Sequence, residues 1–273
     1  MKEPIYKFGH DGSKLATFTI SSDPDLNGGT DFAIGKNGDV YQLSDTSKGT
    51  FVARFSKDGP IRKKIKLSAN LDVSRIEVFE SGELLIVGVE QETEANPEPH
   101  RAYSAIFDED GKLLRRITEE NDKNYEEAAK RGDDQFFDRN QGGGGNFAIS
   151  RGNVVQGSDG NVYVLRWTTP ARVFVVSPAG QILRSFTIDP GPGLEHKKPA
   201  GFHENRGRLA VQFEGDRFDP TSVIRVVSLT GDDYATYDST GLGVAFACYL
   251  DNERFAFLST EGGTLTVNLA QPH

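Results

Sequence analysis

The chain has 273 residues, a formal net charge of −9, 30 glycines and a single cysteine. An acidic chain without a basic stripe excludes nucleic acid as its partner, because phosphate recognition needs clustered Lys and Arg, and one cysteine excludes an intrachain disulfide. No stretch approaches the ~18 consecutive apolar residues of a membrane-crossing helix, so no membrane span is expected.

The opening "MKEPIYKFGHDG" lacks the apolar core of a signal peptide. That fits a cytoplasmic chain or one whose export signal has been removed, and the expectation leans to an extracytoplasmic (periplasmic or secreted) protein. The first predicted element is a hairpin over Ile5 to Ile20, two apolar runs joined at Gly12. Asp-Gly between apolar runs is a strong hairpin signal, since Gly takes φ > 0 without steric cost. Asp31 to Leu67 then supplies two hairpins, turning at Gly38 and Gly59. Arg75 to Thr118 supplies two more, at Gly82 and Gly111. After an insertion over 119–147, the pattern resumes over Asn153 to Ile188, with turns at Gly160 and Gly180, and over Pro199 to Tyr237, with turns at Gly207 and Gly231. Gly243 to Ala270 closes the series with three strands, its first turn at Asn252.

Each complete unit therefore reads as strands a, b, c and d. Strand b is apolar on consecutive positions ("VYVL", "LLIV", "FAFL"), as a strand buried on both faces must be. Strand d mixes Lys and Arg with apolar residues ("IRKKIKL", "LLRRI"), the charge that keeps an outer edge from pairing with another molecule. Four antiparallel strands, recurring roughly every 45–50 residues, predict an all-β fold: a β-propeller of four-stranded blades, forming a single domain. The strand count allows five to six blades. Six-bladed ancestry with an incomplete first blade is preferred over five blades with an extra strand.

"FDEDGKLLRRI" (Phe107 to Ile117) contains the D-x-D-G that opens a calcium loop. The sister turns carry His-Asp-Gly, Lys-Asp-Gly, Pro-Ala-Gly and Leu-Thr-Gly, so only the glycine persists. Asp108 and Asp110 are therefore expected to be turn residues rather than calcium ligands.

"DGNVYV" (Asp159 to Val164), followed by "VFVVSPAGQILRSFTI", resembles the paired hairpins of NHL-like six-bladed propellers, and the chain is similar to uncharacterised bacterial, often exported, propeller proteins. The resemblance implies the architecture and assigns no chemistry.

Strand order places the a–b and c–d turns on one side of the blades and the b–c and d–a connections on the other. The long segments all fall in the second set: Glu90 to Arg101, 119–147, Asp189 to His203 and Glu214 to Ser222. Long loops on a rigid scaffold collect binding residues, so the ligand face is expected there. In the largest insertion "NYEEAAKR" reads as a short helix, and Phe136, Phe137 and Arg139 ("QFFDRN") precede a glycine tether. The functional reading is a lid and the plain one a solvated insertion.

No G-x-S-x-G, H-E-x-x-H, C-x-x-C or P-loop is present. Cys248 in "VAFACYL" reads as a small core residue rather than a nucleophile. His203 and Glu204 lie in an inner strand, but as neighbours they point to opposite faces, which favours a structural histidine. His196 with Lys197 and Lys198 reads as a solvated charge cluster. Trp167, the only tryptophan, stands beside Arg166 and near Arg172 at the long-loop side; Trp and Arg are enriched where proteins bind. With His100, Arg101, Phe136, Phe137, Arg139, His203 and Arg217, these three form the candidate ligand set. No catalytic residue and no metal ligand is assigned. No cofactor is expected, although carboxylates and amides in "EGDRFD", "NPEPH" and "FDRNQ" leave calcium or another divalent cation open.

The leading expectation is a monomeric, non-catalytic binding or scaffold propeller, engaging a protein, peptide or carbohydrate through the long-loop face. The alternative is a metal-dependent hydrolase or lyase with its site at the channel mouth.

Overall fold

The computed structural model describes residues 4–9, 11–20, 23, 26, 29–68, 71–90, 101–117, 152–166, 170–215, 219–242, 245–250 and 253–271. Their regular structure is all β, a propeller of four-stranded antiparallel blades. A hairpin, β1 (Ile5–Phe8) and β2 (Lys14–Phe18), comes first. It is followed by a blade of β3 (Asp31–Ile34), β4 (Val40–Thr46), β5 (Gly49–Phe55) and β6 (Ile61–Lys66). The next comprises β7 (Leu71–Val78), β8 (Leu84–Glu90), β9 (Arg101–Phe107) and β10 (Leu113–Arg116). Then come β11 (Gly152–Gln156), β12 (Val162–Arg166), β13 (Ala171–Val176) and β14 (Ile182–Ile188), and after them β15 (Lys198–Asn205), β16 (Arg208–Glu214), β17 (Ser222–Ser228) and β18 (Asp233–Asp238). The fifth blade has three strands, β19 (Ala245–Tyr249), β20 (Phe255–Glu261) and β21 (Thr264–Ala270). The chain divides into two compact units, residues 1–151 with 177–182, and residues 152–176 with 183–273.

Inside each unit the repeat shows as a constant spacing of hydrogen bonds between neighbouring blades. Asp31 Oδ2 accepts from Ile76 N, Leu113 N donates to Ser68 Oγ, Arg184 Nη2 donates to Leu229 O, and Arg208 Nη1 donates to Glu253 Oε1, every pair 45 residues apart. Strand b is buried on both faces, as expected. In β16, Leu209, Val211 and Phe213 pack into one core with Tyr163, Leu165, Val173 and Val175. Ala210, between them, faces a second core with Phe246, Phe255 and Phe257. Alternate side chains of a strand point to opposite faces, so a central strand with a core on each side must be apolar throughout. Strand d is largely exposed, as in β6 and β10.

The turn chemistry is also that of the sequence. Asp108 Oδ1 accepts from Asp110 N (3.0 Å) and Lys112 N (2.8 Å), which closes the turn around Gly111 at φ 85°. A carboxylate occupied by its own backbone is a turn cap. In "SDGNVY", Asp159 accepts from Asn161 N (3.1 Å), Asn161 Nδ2 (2.9 Å) and the Tyr163 hydroxyl (2.9 Å). Burial, with that carboxylate beside it, pushes the Tyr163 phenol well above its ordinary range. Gly157 leaves room for the Tyr163 ring, as Gly35 does for Tyr41. The motif behind the propeller resemblance is thus a turn-and-ring device of the fold. No helix among the described residues is long and apolar enough to cross a membrane.

Candidate functional site

Ladder register defines the edge of each blade that carries the long connections. In the second unit, Gly152, Arg166 and Arg172 form one row at that edge. Lys198, Glu214 and Ser222 form the corresponding row in the next blade. Two long connections leave from here, 189–197 before β15 and 215–221 after β16.

The sequence "DPGPGLEHK" shapes the first connection locally. Asp189 Oδ1 accepts from Gly191 N (2.7 Å), and Leu194 N and Lys197 N donate to Gly191 O (3.1 Å) and Leu194 O (2.9 Å). These turns deliver Lys197 to the second connection, where its side chain is fully buried. Its ammonium donates to Asp219 Oδ2 (2.7 Å), Thr221 O (2.7 Å) and Thr221 Oγ1 (2.6 Å), which occupies all three protons. His196 Nε2 lies 2.7 Å from the same Asp219 oxygen. The Lys197 ammonium, with Thr221 and His196, holds the Asp219 carboxyl well below the usual carboxylate range. The expectation of a solvated cluster is therefore corrected for Lys197. The sequence shows three cationic neighbours, but only tertiary folding shows that the middle one turns inward. Asp-Pro-Thr at 219–221, an Asx-type turn signal, was the legible hint of its partner.

Of the predicted ligand set, Arg166 and Arg172 are brought together, directly opposite each other in the β12–β13 ladder. Arg172 lies over the Phe174 ring (4.7 Å) and donates to Ser185 Oγ (3.0 Å). His100, Phe136, Phe137, Arg139, Trp167 and Arg217 lie outside the described residues, as does the predicted short helix. Arg101 opens β9, with its side chain outside the description. Glu214, which the sequence offered only among the carboxylates of "EGDRFD", stands at the long-loop edge, and burial pushes its carboxyl upward.

His203 lies apart from the arginines, in β15. Its Nε2 donates to Phe246 O (3.1 Å) and its ring meets Phe246 edge-on at 4.6 Å. Glu204 points the other way and accepts from Gly207 N (2.8 Å) and Ser158 N (3.3 Å). Burial pushes the His203 imidazole below its ordinary value. A histidine with a depressed folded pKa is protonated more readily in the unfolded chain, so stability falls as pH drops below the unfolded value of about 6.5. We expect the melting temperature to fall between pH 7.5 and 5. In His203→Gln, which keeps a donor but does not titrate, the fall should be shallower; parallel slopes for the two proteins would show that His203 does not contribute.

The short-turn edge has its own concavity. A cleft of about 350 Å³ is lined by Asn205, Arg206, Arg208, Tyr249, Leu250 and Glu253. Its polar groups satisfy one another. Glu253 accepts from Arg208 (3.0 Å), the Tyr234 hydroxyl (2.9 Å) and the Tyr237 hydroxyl (3.2 Å), and Arg208 stacks on Tyr234 at 3.5 Å. Burial, then Glu253, pushes the Tyr237 phenol up to about 12. A ligand here would have to break these contacts first. Cys248 is half-buried, and burial pushes its thiol upward, away from the thiolate a nucleophile needs. Among the described residues no three His, Cys, Asp or Glu side chains converge as a metal-binding group.

No protein family and no curated protein matches the chain. Solved structures do. A protein of unknown function from Bacteroides caccae aligns at a TM-score of 0.52 and 12% identity, over 96% of this chain and 81% of that one. A streptogramin B lyase aligns at 0.54 and 14%, over 100% and 78%. A catalytically inactive virginiamycin B lyase from Staphylococcus aureus, with quinupristin, aligns at 0.53 and 12%, over 98% and 71%. At these identities what is shared is the fold.

Proposed function

We propose that the chain is a non-catalytic binding propeller that engages a protein, peptide or carbohydrate through the edge carrying the long connections. The Lys197 clamp carries this assignment. It ties two of those connections to each other before any ligand arrives, and a pre-ordered loop loses less entropy on binding. The contact residues we propose are Trp167, Arg166, Arg172, His100, Arg101, Phe136, Phe137, Arg139 and Arg217, with His203 a positioning residue through Phe246. We further read the chain as NHL-like, of six-bladed ancestry, bacterial, extracytoplasmic and monomeric.

The test is a screen of the purified chain on glycan and peptide arrays, followed by titration of the strongest ligand. Replacing both Arg166 and Arg172 by Ala should weaken that ligand about tenfold or more while the melting temperature stays within about 3 °C. Unchanged affinity in this variant and in Trp167→Ala would overturn the assignment. The rival, a metal-dependent hydrolase or lyase with calcium or another divalent cation at the channel mouth, draws support from the two lyases among the structural neighbours. It predicts a rise in melting temperature with calcium or zinc that a chelator reverses.

A further inference from the structure

Two turns share nearly the same sequence but are wired differently. "GSDGNVY" (157–163) and "GKNGDVY" (35–41) close alike, with Gly157 N donating to Asn161 O (2.8 Å) and Gly35 N to Asp39 O (2.9 Å). In the first, Asp159 accepts from the Tyr163 hydroxyl. In the second, Asn37 stands where Asp159 does, and the carboxylate is two residues on, at Asp39. Tyr41 lies under Gly35 as Tyr163 lies under Gly157, but its hydroxyl has no hydrogen-bond partner among the described residues. The residue opposite the ring differs too: Val175 faces Tyr163, whereas Arg54 faces Tyr41. The Asp39 side chain is only 3% exposed. Arg54 turns both Nε and Nη2 toward it at 2.9 Å, yet both meet Oδ2, and Arg62 Nη1 lies 3.5 Å from that same oxygen. A guanidinium paired end-on would take both carboxylate oxygens. Here Oδ1 receives no donor among the described residues, and Asp39 lines a cavity of about 190 Å³ together with Tyr41, Arg54 and Glu109. Arg54 Nη1 is 3.8 Å from Glu109 Oε2, beyond hydrogen-bond reach.

We propose that this cavity binds the ring of a neutral sugar, one hydroxyl donating to Asp39 Oδ1 and a neighbouring one accepting from the Tyr41 hydroxyl or Arg54 Nη1. Buried polar groups without partners cost free energy, which a ligand that supplies the partners recovers. Burial pushes the Tyr41 phenol upward, so it stays a donor. The charges at the site balance. Lys36 pairs with Glu80 (3.0 Å), and Arg54 and Arg62 stand against Asp39 and Glu109, which leaves no net attraction for an ion. A hydroxyl both donates and accepts at one atom, and a sugar ring carries several at fixed spacing. The volume exceeds the ~30 Å³ share of a water and stays below the ~300 Å³ at which drug-sized pockets begin, so it suits a single ring. The site lies wholly in the first unit, at the short-turn edge, and does not rest on the function proposed for the long-loop edge.

The probes are glucose, galactose, mannose and N-acetylglucosamine, each at millimolar concentration and read by saturation-transfer NMR. Acetamide, acetate and methylammonium are the controls. At least one sugar should bind and the controls should not. Tyr41→Phe should weaken that sugar about tenfold while the melting temperature stays within about 1 °C, because the hydroxyl it removes has no partner in the fold. Tyr163→Phe should do the reverse, lowering the melting temperature and leaving the sugar's affinity unchanged. A disaccharide carrying the best sugar at its non-reducing end separates two sources of the ring: binding at least as tight assigns the end of a glycan chain, exclusion assigns the free sugar, and both support the site. Absence of binding by every sugar would overturn the proposal, as would an affinity that Tyr41→Phe leaves unchanged. Binding by a control in place of the sugars would overturn the ligand class. Sugar binding that the double replacement of Arg166 and Arg172 by Ala removes and Tyr41→Phe does not would overturn this site and support the long-loop edge instead.

Discussion

Replacing Lys197 by Ala should destabilise the second unit by about 3 kcal/mol, the low end for breaking a buried ion pair. In a chain of this size that is a fall of roughly 10 °C in melting temperature. The attraction to Asp219 is the lesser part of the loss, since that carboxylate keeps some water. The greater part is a vacated interior volume and the Thr221 carbonyl and hydroxyl left without their donor. Lys197→Met, which refills the volume without a donor, should fall between wild type and Lys197→Ala. If all three melt together, the connections 189–197 and 215–221 are not held by this side chain. The same loss should also weaken the binding we propose for the long-loop edge, because the loops would have to be ordered on binding.

Gly111→Ala should cost about 3–4 kcal/mol, and Gly82→Ala only about 1–2, although both glycines have positive φ and turn similar hairpins. A Cβ on Gly82 meets nothing. On Gly111 it would run into the backbone carbonyl of Lys66 and lie 2.8 Å from Ile65 Cγ2 in the preceding blade. Backbone cannot swing aside as a side chain can. The turn is fastened there as well, by Ser68 N donating to Gly111 O (2.9 Å) and Leu113 N to Ser68 Oγ (3.0 Å). Gly59, whose Cβ would lie 2.9 Å from Thr17 O, should behave like Gly111. Paired denaturation curves of the Gly111 and Gly82 variants separate the two contributions; equal midpoints would refute the close approach.

Close approach adds a second reason for glycine in four of the five described c–d turns, where the residues before it vary. The a–b turn needs only positive φ, and the last blade manages with Glu253 at φ 57°. The c–d turns at Gly59, Gly111, Gly180 and Gly231 need positive φ and also a bare Cα against a neighbour, whereas the turn at Gly12 needs only positive φ. From sequence the two kinds of glycine look alike.

The blades themselves were legible because each depends on local pattern. Alternating or continuous apolar runs, Asp-Gly turns and charged outer strands are set by the pleat and by glycine's freedom, and recur every 45 residues in the hydrogen bonds between blades. The edge carrying the long connections was legible only as a location, since strand order dictates which connections share a side. Its chemistry was not. Whether Lys197 meets water or Thr221 depends on where the chain returns 24 residues later, and the turn signal at 219–221 marks a turn there without giving the direction of that return. The same holds for Arg166 and Arg172, which become neighbours only through the β12–β13 register; that His203 and Glu204 point apart, by contrast, follows from the alternation of a strand. Sequence by itself determined the strands, their turns and the side on which the loops gather. Tertiary structure decided which charges are buried and which glycines are crowded, because each of those is fixed by contacts between segments far apart in the chain.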